Sequence, residues 1–146
     1  MAVKIQPNQI QNLQQMEVVV AGPEDANRLV VINGQFDVFL SASGTGAGFA
    51  TTKEIFTALI GPTFTRKQFV KANATASLAK TQIVTSANVP PAANWNILNV
   101  DADWDDESGQ VELSIEAQVG AGSAQLRADI LGFLFQVTIL AAVPAD

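Results

Sequence analysis

The chain has 146 residues, of which 48% are hydrophobic and 15% charged, with a formal net charge of −6. This length suits one domain, the composition is too apolar for disorder, and the negative charge disfavours nucleic-acid partners. The absence of Cys and His from the sequence excludes disulfides, thiol catalysis, His-containing triads and the usual zinc sites.

The beginning of the chain predicts an arm that leads into a first strand. Residues 1–16 are rich in Gln and Asn and lack the apolar segment of a secretory signal. We therefore expect an N-terminal arm, and a protein that is cytoplasmic or part of a particle. The apolar run at 17–21 predicts the first strand.

A hairpin is predicted next, over residues 28–40. The apolar run at 28–32 leads into Asn33-Gly34, and alternating apolar residues follow at 35–40. An Asn-Gly pair tolerates the positive φ angles of a two-residue turn, so this pair predicts that the two runs pair as antiparallel strands.

The segment 52–60 predicts a short helix. Thr51 and Glu54 have the spacing of a capping box, and a Gly-Pro pair follows the apolar run, as at many helix ends. A strand over 55–60 is the alternative interpretation.

The strongest pattern lies between residues 95 and 119. Apolar and polar residues alternate over 98–104 and again over 111–119, and the acidic segment 105–109 separates the two runs. Strict alternation indicates strands with one buried face, so these runs predict a hairpin whose other face is wet and acidic.

The last strand, predicted over 130–143, is apolar on both faces. It is too short and too interrupted by polar residues for a membrane span. Phe133, Phe135, Val137 and Ile139 share one face, and Leu134 and Leu140 lie on the other. One of these faces lines the core, and the other needs a cover. The short helix predicted at 52–60 covers little of a strand this long. We therefore expect a homo-oligomer, first of all a trimer, with its contact in parts of 72–78 and 130–143.

Together these elements predict an all-β protein, an antiparallel β-sandwich with one short helix near 52–60. Residues 1–16 form the arm and residues 17–146 the single domain. No spacing of Ser, Lys, Thr or carboxylate residues indicates a catalytic site, and no cofactor motif is present. We therefore expect a protein that is not an enzyme.

Two weak candidate sites emerge from the sequence. Asp101, Asp103, Asp105 and Glu112 fall at positions one, three, five and twelve of a calcium loop, but Asp106 occupies the sixth position, where the sharp turn needs Gly. A solvated acidic hairpin face is the preferred interpretation, so no metal site is predicted. Trp95 follows two prolines at a strand entrance, where an indole can stack on a sugar, although core packing is the more common role.

The second half of the chain resembles the H-type lectin domain. The resemblance covers about residues 64–143, through a run of short strands, a Gly in the long hairpin and an aromatic-rich final strand. The segments that carry it are 64–69, 74–78, 96–104, 108–115 and 133–139.

This resemblance implies a six-stranded antiparallel sandwich that forms trimers and binds galactosamine-type sugars between subunits. The aromatic and His residues with which such lectins contact the sugar have no match in the chain. The resemblance therefore implies the architecture and the tendency to form trimers, and no sugar-binding residue.

Two functions follow as hypotheses. One is an oligomeric, lectin-like module that binds carbohydrate. The other is a structural subunit of a larger assembly, such as a phage virion or an injection machine. The Gln/Asn-rich arm and the final strand, which is apolar on both faces, favour this second hypothesis. Under both hypotheses the chain binds further copies of itself. The first adds a glycan as a partner, and the second adds neighbouring structural subunits.

Overall fold

A computed structural model describes residues 2–21, 26–45, 48–85, 92–122 and 124–143. Within these ranges the chain forms strands almost throughout, with one 3-10 helix at Pro7–Gln9. The strands are β1 (Val3–Lys4), β2 (Ile10–Ala21), β3 (Ala26–Ser43), β4 (Ala50–Ile60), β5 (Phe69–Thr85), β6 (Ala93–Trp104), β7 (Val111–Ala121) and β8 (Leu126–Ala142).

The strands form two packed sheets of four strands each. The first sheet has the order β1-β4-β7-β6 and the second the order β2-β3-β8-β5. All neighbours are antiparallel except β1 and β4, which are parallel. β3 packs on β4, β8 on β7 and β5 on β6. The predicted all-β sandwich is confirmed.

One apolar core lies between the sheets, and the alternation of side chains along the strands supplies it. Along β7 every inward side chain is fully buried, and along β8 Phe133, Val137 and Ile139 are fully buried as well. Aromatic rings link the strands: Phe135 stacks on Phe36 of β3, with ring centroids 4.3 Å apart. Burial of this apolar area is the main stabilising contribution to a sandwich of this kind.

The helix predicted at 52–60 is wrong, because this segment is the strand β4. It pairs with β7 over its whole length, from Ala50 opposite Ala121 to Ile60 opposite Val111. Phe56, Ala58 and Ile60 point into the core at every second position. Tertiary pairing therefore overrides the local capping pattern, as it often does for short apolar runs.

The hairpin turn predicted at Asn33-Gly34 is also wrong. β3 runs without a break through this pair, with Asn33 opposite Gln136 and Gly34 opposite Phe135. Gly34 does not adopt positive φ. Its missing side chain serves packing instead, because a Cβ here would lie 2.7 Å from Cζ of the Phe135 ring.

The acidic hairpin predicted from 95–119 is confirmed as β6 and β7. The two strands pair from Ala93 opposite Ala121 to Trp104 opposite Val111. Gly109 takes φ +76° in the connection, a conformation that favours glycine. The indole N–H of Trp104 donates to the carbonyls of Phe64 and Gly109, at 3.1 and 3.0 Å, and so anchors the hairpin end.

The first residues of the chain join both sheets. Lys4 pairs opposite Thr57 in the first sheet, the Ile5 side chain is buried in the core, and β2 then begins in the second sheet. Residues 2–16 therefore contribute β1, the 3-10 helix and the first half of β2.

We predict that Gly34→Val destabilises the fold by about 1–3 kcal/mol, because the new side chain overpacks the space that the Phe135 ring occupies. Asn33→Val is the matched control: its exposed position in a continuous strand accepts a β-branched residue. Chemical denaturation of both variants measures the effect. A large loss of stability for Asn33→Val would contradict the continuous strand, because a turn with positive φ penalises a β-branched residue.

Candidate functional site

The outer face of the second sheet is the most distinctive surface of the described chain. Along β3, β5 and β8, side chains that point outward alternate with side chains that point into the core. The outward side chains of these strands together form this face. It is divided along the strands into an apolar region, a polar depression and a buried ionic cluster.

The apolar region lies where β2, β3 and β8 run side by side. Val18 stands opposite Leu29, which stands opposite Leu140, and Met16 stands opposite Val31. Met16, Val18 and Val20 are 63%, 47% and 59% exposed. We call this surface the apolar patch; its members are Met16, Val18, Val20, Leu29, Val31 and Leu140.

The second half of β2 projects beyond the sandwich, and both of its faces meet solvent. Val19, on the face opposite to the apolar patch, is 58% exposed, and no residue of β2 is buried. Glu17 on that face is bound by Arg28 of β3, whose Nε lies 2.6 Å from a carboxylate oxygen. This hydrogen bond lowers the pKa of Glu17. The one charge on the strand is therefore paired within the chain.

A polar depression of about 450 Å³ lies in the middle of the same face. Asn33, Gln136 and Thr75 stand in one row across three strands, and Gln35, Leu134 and Ser77 stand in the next. Asn12, at the bulge of β2 with φ 54°, completes the wall. We call this surface the amide depression, because amides and hydroxyls line it around the exposed Leu134.

A buried carboxylate lies further along the face. Asp129 has no exposed surface; Gln82 donates to it at 2.6 Å and Arg127 lies 3.1 Å from it. Burial raises the pKa of Asp129, but hydrogen bonds from Gln82, Ser41 and Arg127, with the Arg127 charge, outweigh burial and hold the pKa below its ordinary value. The carboxylate thus ties β3, β8 and β5 together in its charged form.

Trp95, the sugar-stacking candidate, is half-buried and packs against the core. Its indole N–H donates to the backbone carbonyl of Asp129 at 2.9 Å, and so joins β6 of the first sheet to β8 of the second. The polar edge of the ring is therefore occupied by a contact between the sheets.

The four acidic calcium candidates are spread along the hairpin of β6 and β7. Asp103 stands opposite Glu112, whereas Asp101 stands opposite Ser114. Asp105 lies in the turn, where hydrogen bonds from the Ser108 hydroxyl and backbone N–H lower its pKa. Across the described ranges, no three Asp or Glu residues are grouped as a metal ion requires.

The alanine row of β5 faces inward. Ala72, Ala74 and Ala76 stand opposite the core residues of β8 and pack on the core, where β5 lies on β6. These small side chains allow a neighbouring strand to approach closely, and that strand belongs to the same chain. The outward residues of this segment, Asn73 and Thr75 among them, are polar.

The sequence prediction missed two parts of this face. A run of three valines predicted a strand but gave no sign that the strand projects from the sandwich with both faces exposed. Asp129 carried a weak signal, as one charged residue beside the start of an apolar strand. Leu134 and Leu140, by contrast, lie on the face opposite to Phe133, Phe135, Val137 and Ile139, as predicted, and the structure shows that their face is the outer one.

Comparisons with models of protein families, with curated proteins and with solved structures find no match for this chain. Among the described residues, no helix is long and apolar enough to cross a membrane. The function must therefore be argued from the surface itself.

We predict that Asp129 contributes stability that disappears in acid. Because its pKa is lower in the folded state, the contribution is complete above the unfolded pKa, near 3.9, and is lost as the pH falls through the folded pKa. Asp129→Asn should therefore reduce the urea midpoint at pH 7 and differ less from the parent protein near pH 3.

The matched control for this prediction is Asp101→Asn, an exposed carboxylate on the other sheet. It should leave the urea midpoint at pH 7 nearly unchanged. Equal curves for Asp129→Asn and the parent protein at pH 7 would contradict the stabilising role of the cluster.

Proposed function

We propose that this protein acts by association rather than catalysis, as a β-sandwich subunit whose copies bind one another through the outer face of the second sheet. The apolar patch carries the proposal. Monomeric proteins rarely leave side chains such as Met16, Val18 and Val20 exposed side by side, and contiguous apolar surface of this kind is typical of interaction sites.

The distribution of charge supports the same proposal. Asp101, Asp103, Glu112 and Glu116 stand on the outer face of the first sheet, on β6 and β7. The apolar patch lies on the outer face of the second sheet and at the opposite edge of the sandwich. Association through this patch therefore keeps the acidic faces of two copies apart, in spite of the net charge of −6.

A role as a structural subunit of a larger assembly, such as a phage virion or an injection machine, is consistent with this proposal. The second half of β2 gains little from its own chain, because it contacts β3 on one edge and solvent on both faces. A strand in this position is stabilised when a neighbouring subunit covers it.

The amide depression supports a second candidate, a lectin-like module. Amides of Asn33 and Gln136 and the hydroxyl of Thr75 are donors and acceptors of the kind that sugar hydroxyls need, and the exposed Leu134 offers an apolar contact. The Phe135 ring nearby points into the core, so this depression lacks the stacked aromatic ring that many sugar sites use.

We predict that the purified protein is an oligomer, and that Leu140→Asp in the apolar patch lowers its mass in solution. A charge at this position must be desolvated when a second subunit covers the patch. Light scattering coupled to size-exclusion chromatography measures the mass. Leu134→Asp, at the adjoining depression, tests how far the contact extends.

Leu98→Asp is the control for both variants, and its exposure matches that of Leu134: Leu98 is 45% exposed on β6 and Leu134 is 49% exposed on β8. It should leave the mass unchanged. A parent protein that is monomeric at high micromolar concentration would contradict the proposed function.

The lectin-like candidate predicts binding on a glycan array that Gln136→Ala abolishes. Trp95→Phe should retain the binding and lower the melting temperature instead, since its indole N–H bonds to the second sheet. Binding lost only with Trp95→Phe would place the sugar elsewhere, and no binding by the parent protein would contradict a lectin.

A further inference from the structure

The free edge of β2 differs from the other sheet edges. β5 carries Lys71 and Lys80 beside its bulges, and β6 carries Asp101 and Asp103 with a bulge at residues 97–99. Charges and bulges are the devices that keep an edge strand from pairing with another chain. On the remaining edge, β1 pairs only with Phe56 and Thr57 of β4, and the rest of β4 carries the charges of Lys53 and Glu54.

β2 carries almost none of these devices over its second half. From Gln14 to Ala21 it pairs with β3 without a register shift, and the bulge lies before this stretch, at residues 11–14. The stretch contains no Pro, Gly, Lys or Arg. Its single charge, Glu17, is bound by Arg28 of the same chain. This edge is therefore open to a further strand.

We infer that β2 pairs antiparallel with β2 of a second copy about a two-fold axis at Val18, which joins the second sheets of both copies into one sheet. This inference rests on the proposed function and specifies its contact. Two four-stranded sheets would then form a continuous sheet of eight strands.

The sequence of β2 complements itself in this register. A two-fold axis normal to the sheet keeps outward residues opposite outward residues. With the axis at Val18, Met16 stands opposite Val20 of the second copy and Glu17 opposite Val19. With the axis at Glu17, two carboxylates would oppose each other, which destabilises a strand pair.

The register also unites the two apolar patches. The Val18 residues of the two copies meet at the axis, and Leu29 and Val31 flank them on both sides.

The acidic hairpins of the two copies lie at the far edges of the joined sheet, because β6 packs on β5 and β5 is the opposite edge of the second sheet. Three strand spacings, roughly 14 Å, separate β2 from β5 within one copy. The Debye length is about 8 Å at physiological salt, so repulsion between the hairpins is weak.

A two-fold contact predicts a dimer, or an even-numbered assembly of dimers. The resemblance to H-type lectins implies a trimer instead, and the two arrangements are distinguishable by mass.

Single cysteines test the register directly, because the chain has no Cys of its own. Opposed residues of an antiparallel pair have Cα atoms about 4.5–5.5 Å apart, which a disulfide bridges. Mild oxidation should convert Val18→Cys to a covalent dimer, and should leave Glu17→Cys and Val19→Cys mostly monomeric on a denaturing gel. A mixture of Met16→Cys and Val20→Cys should form the mixed dimer.

Val18→Lys is the second variant, and it should dissociate the parent oligomer without changing the circular dichroism spectrum. Leu98→Lys is its control and should leave the mass unchanged. Slow hydrogen exchange of those amides in residues 15–21 whose N–H points away from β3, present in the parent protein and lost in Val18→Lys, reports the same pairing without an engineered thiol.

The outcomes separate this inference from the proposed function. An oligomer without the Val18→Cys cross-link, or a trimer whose β2 amides exchange freely, overturns the β2 pairing and leaves association through the outer face in place. Protection of β2 that appears only when another protein is added also overturns it. A monomeric parent protein overturns both.

Discussion

The position of β8 between β3 and β5 is the constraint on which the second sheet depends. β8 pairs with β3 from Arg127 to Ala142 and with β5 from Leu126 to Ala141. Because it lies in the middle of the sheet, its inward side chains must fill the core and its outward side chains must form the exposed face. Of the residues that alternate with its core side chains, Leu134 and Gln136 lie in the middle of the amide depression, and Leu140 joins the apolar patch that β2 and β3 extend.

The sequence predicted well wherever alternation alone decides the structure. The hairpin of β6 and β7 and the two faces of β8 were predicted because their apolar residues recur at every second position over many residues. Prediction failed where a local signal competed with distant pairing. The capping pattern at Thr51 and Glu54 is typical of a helix, but β7 offers this segment a full ladder of hydrogen bonds.

Asn33-Gly34 shows the same limit in a different form. A glycine that follows Asn commonly marks a turn, yet Gly34 lies in a strand because the ring of Phe135 needs the space above it. That requirement comes from a residue about a hundred positions later, and no local window contains it. The exposure of β2 was unpredictable for a related reason: it depends on how far the first sheet extends beneath it, and β1 is too short to cover it.

The central place of β8 also matters while the protein is being made. Because β8 is the last strand of the described chain, β3 and β5 are synthesised before the strand that lies between them. Until then, β3 has one partner and one open edge, and the apolar side chains destined for the core lack their cover. The chain is therefore most prone to aggregation while the second sheet lacks β8. This sheet is completed only after synthesis has passed residue 142.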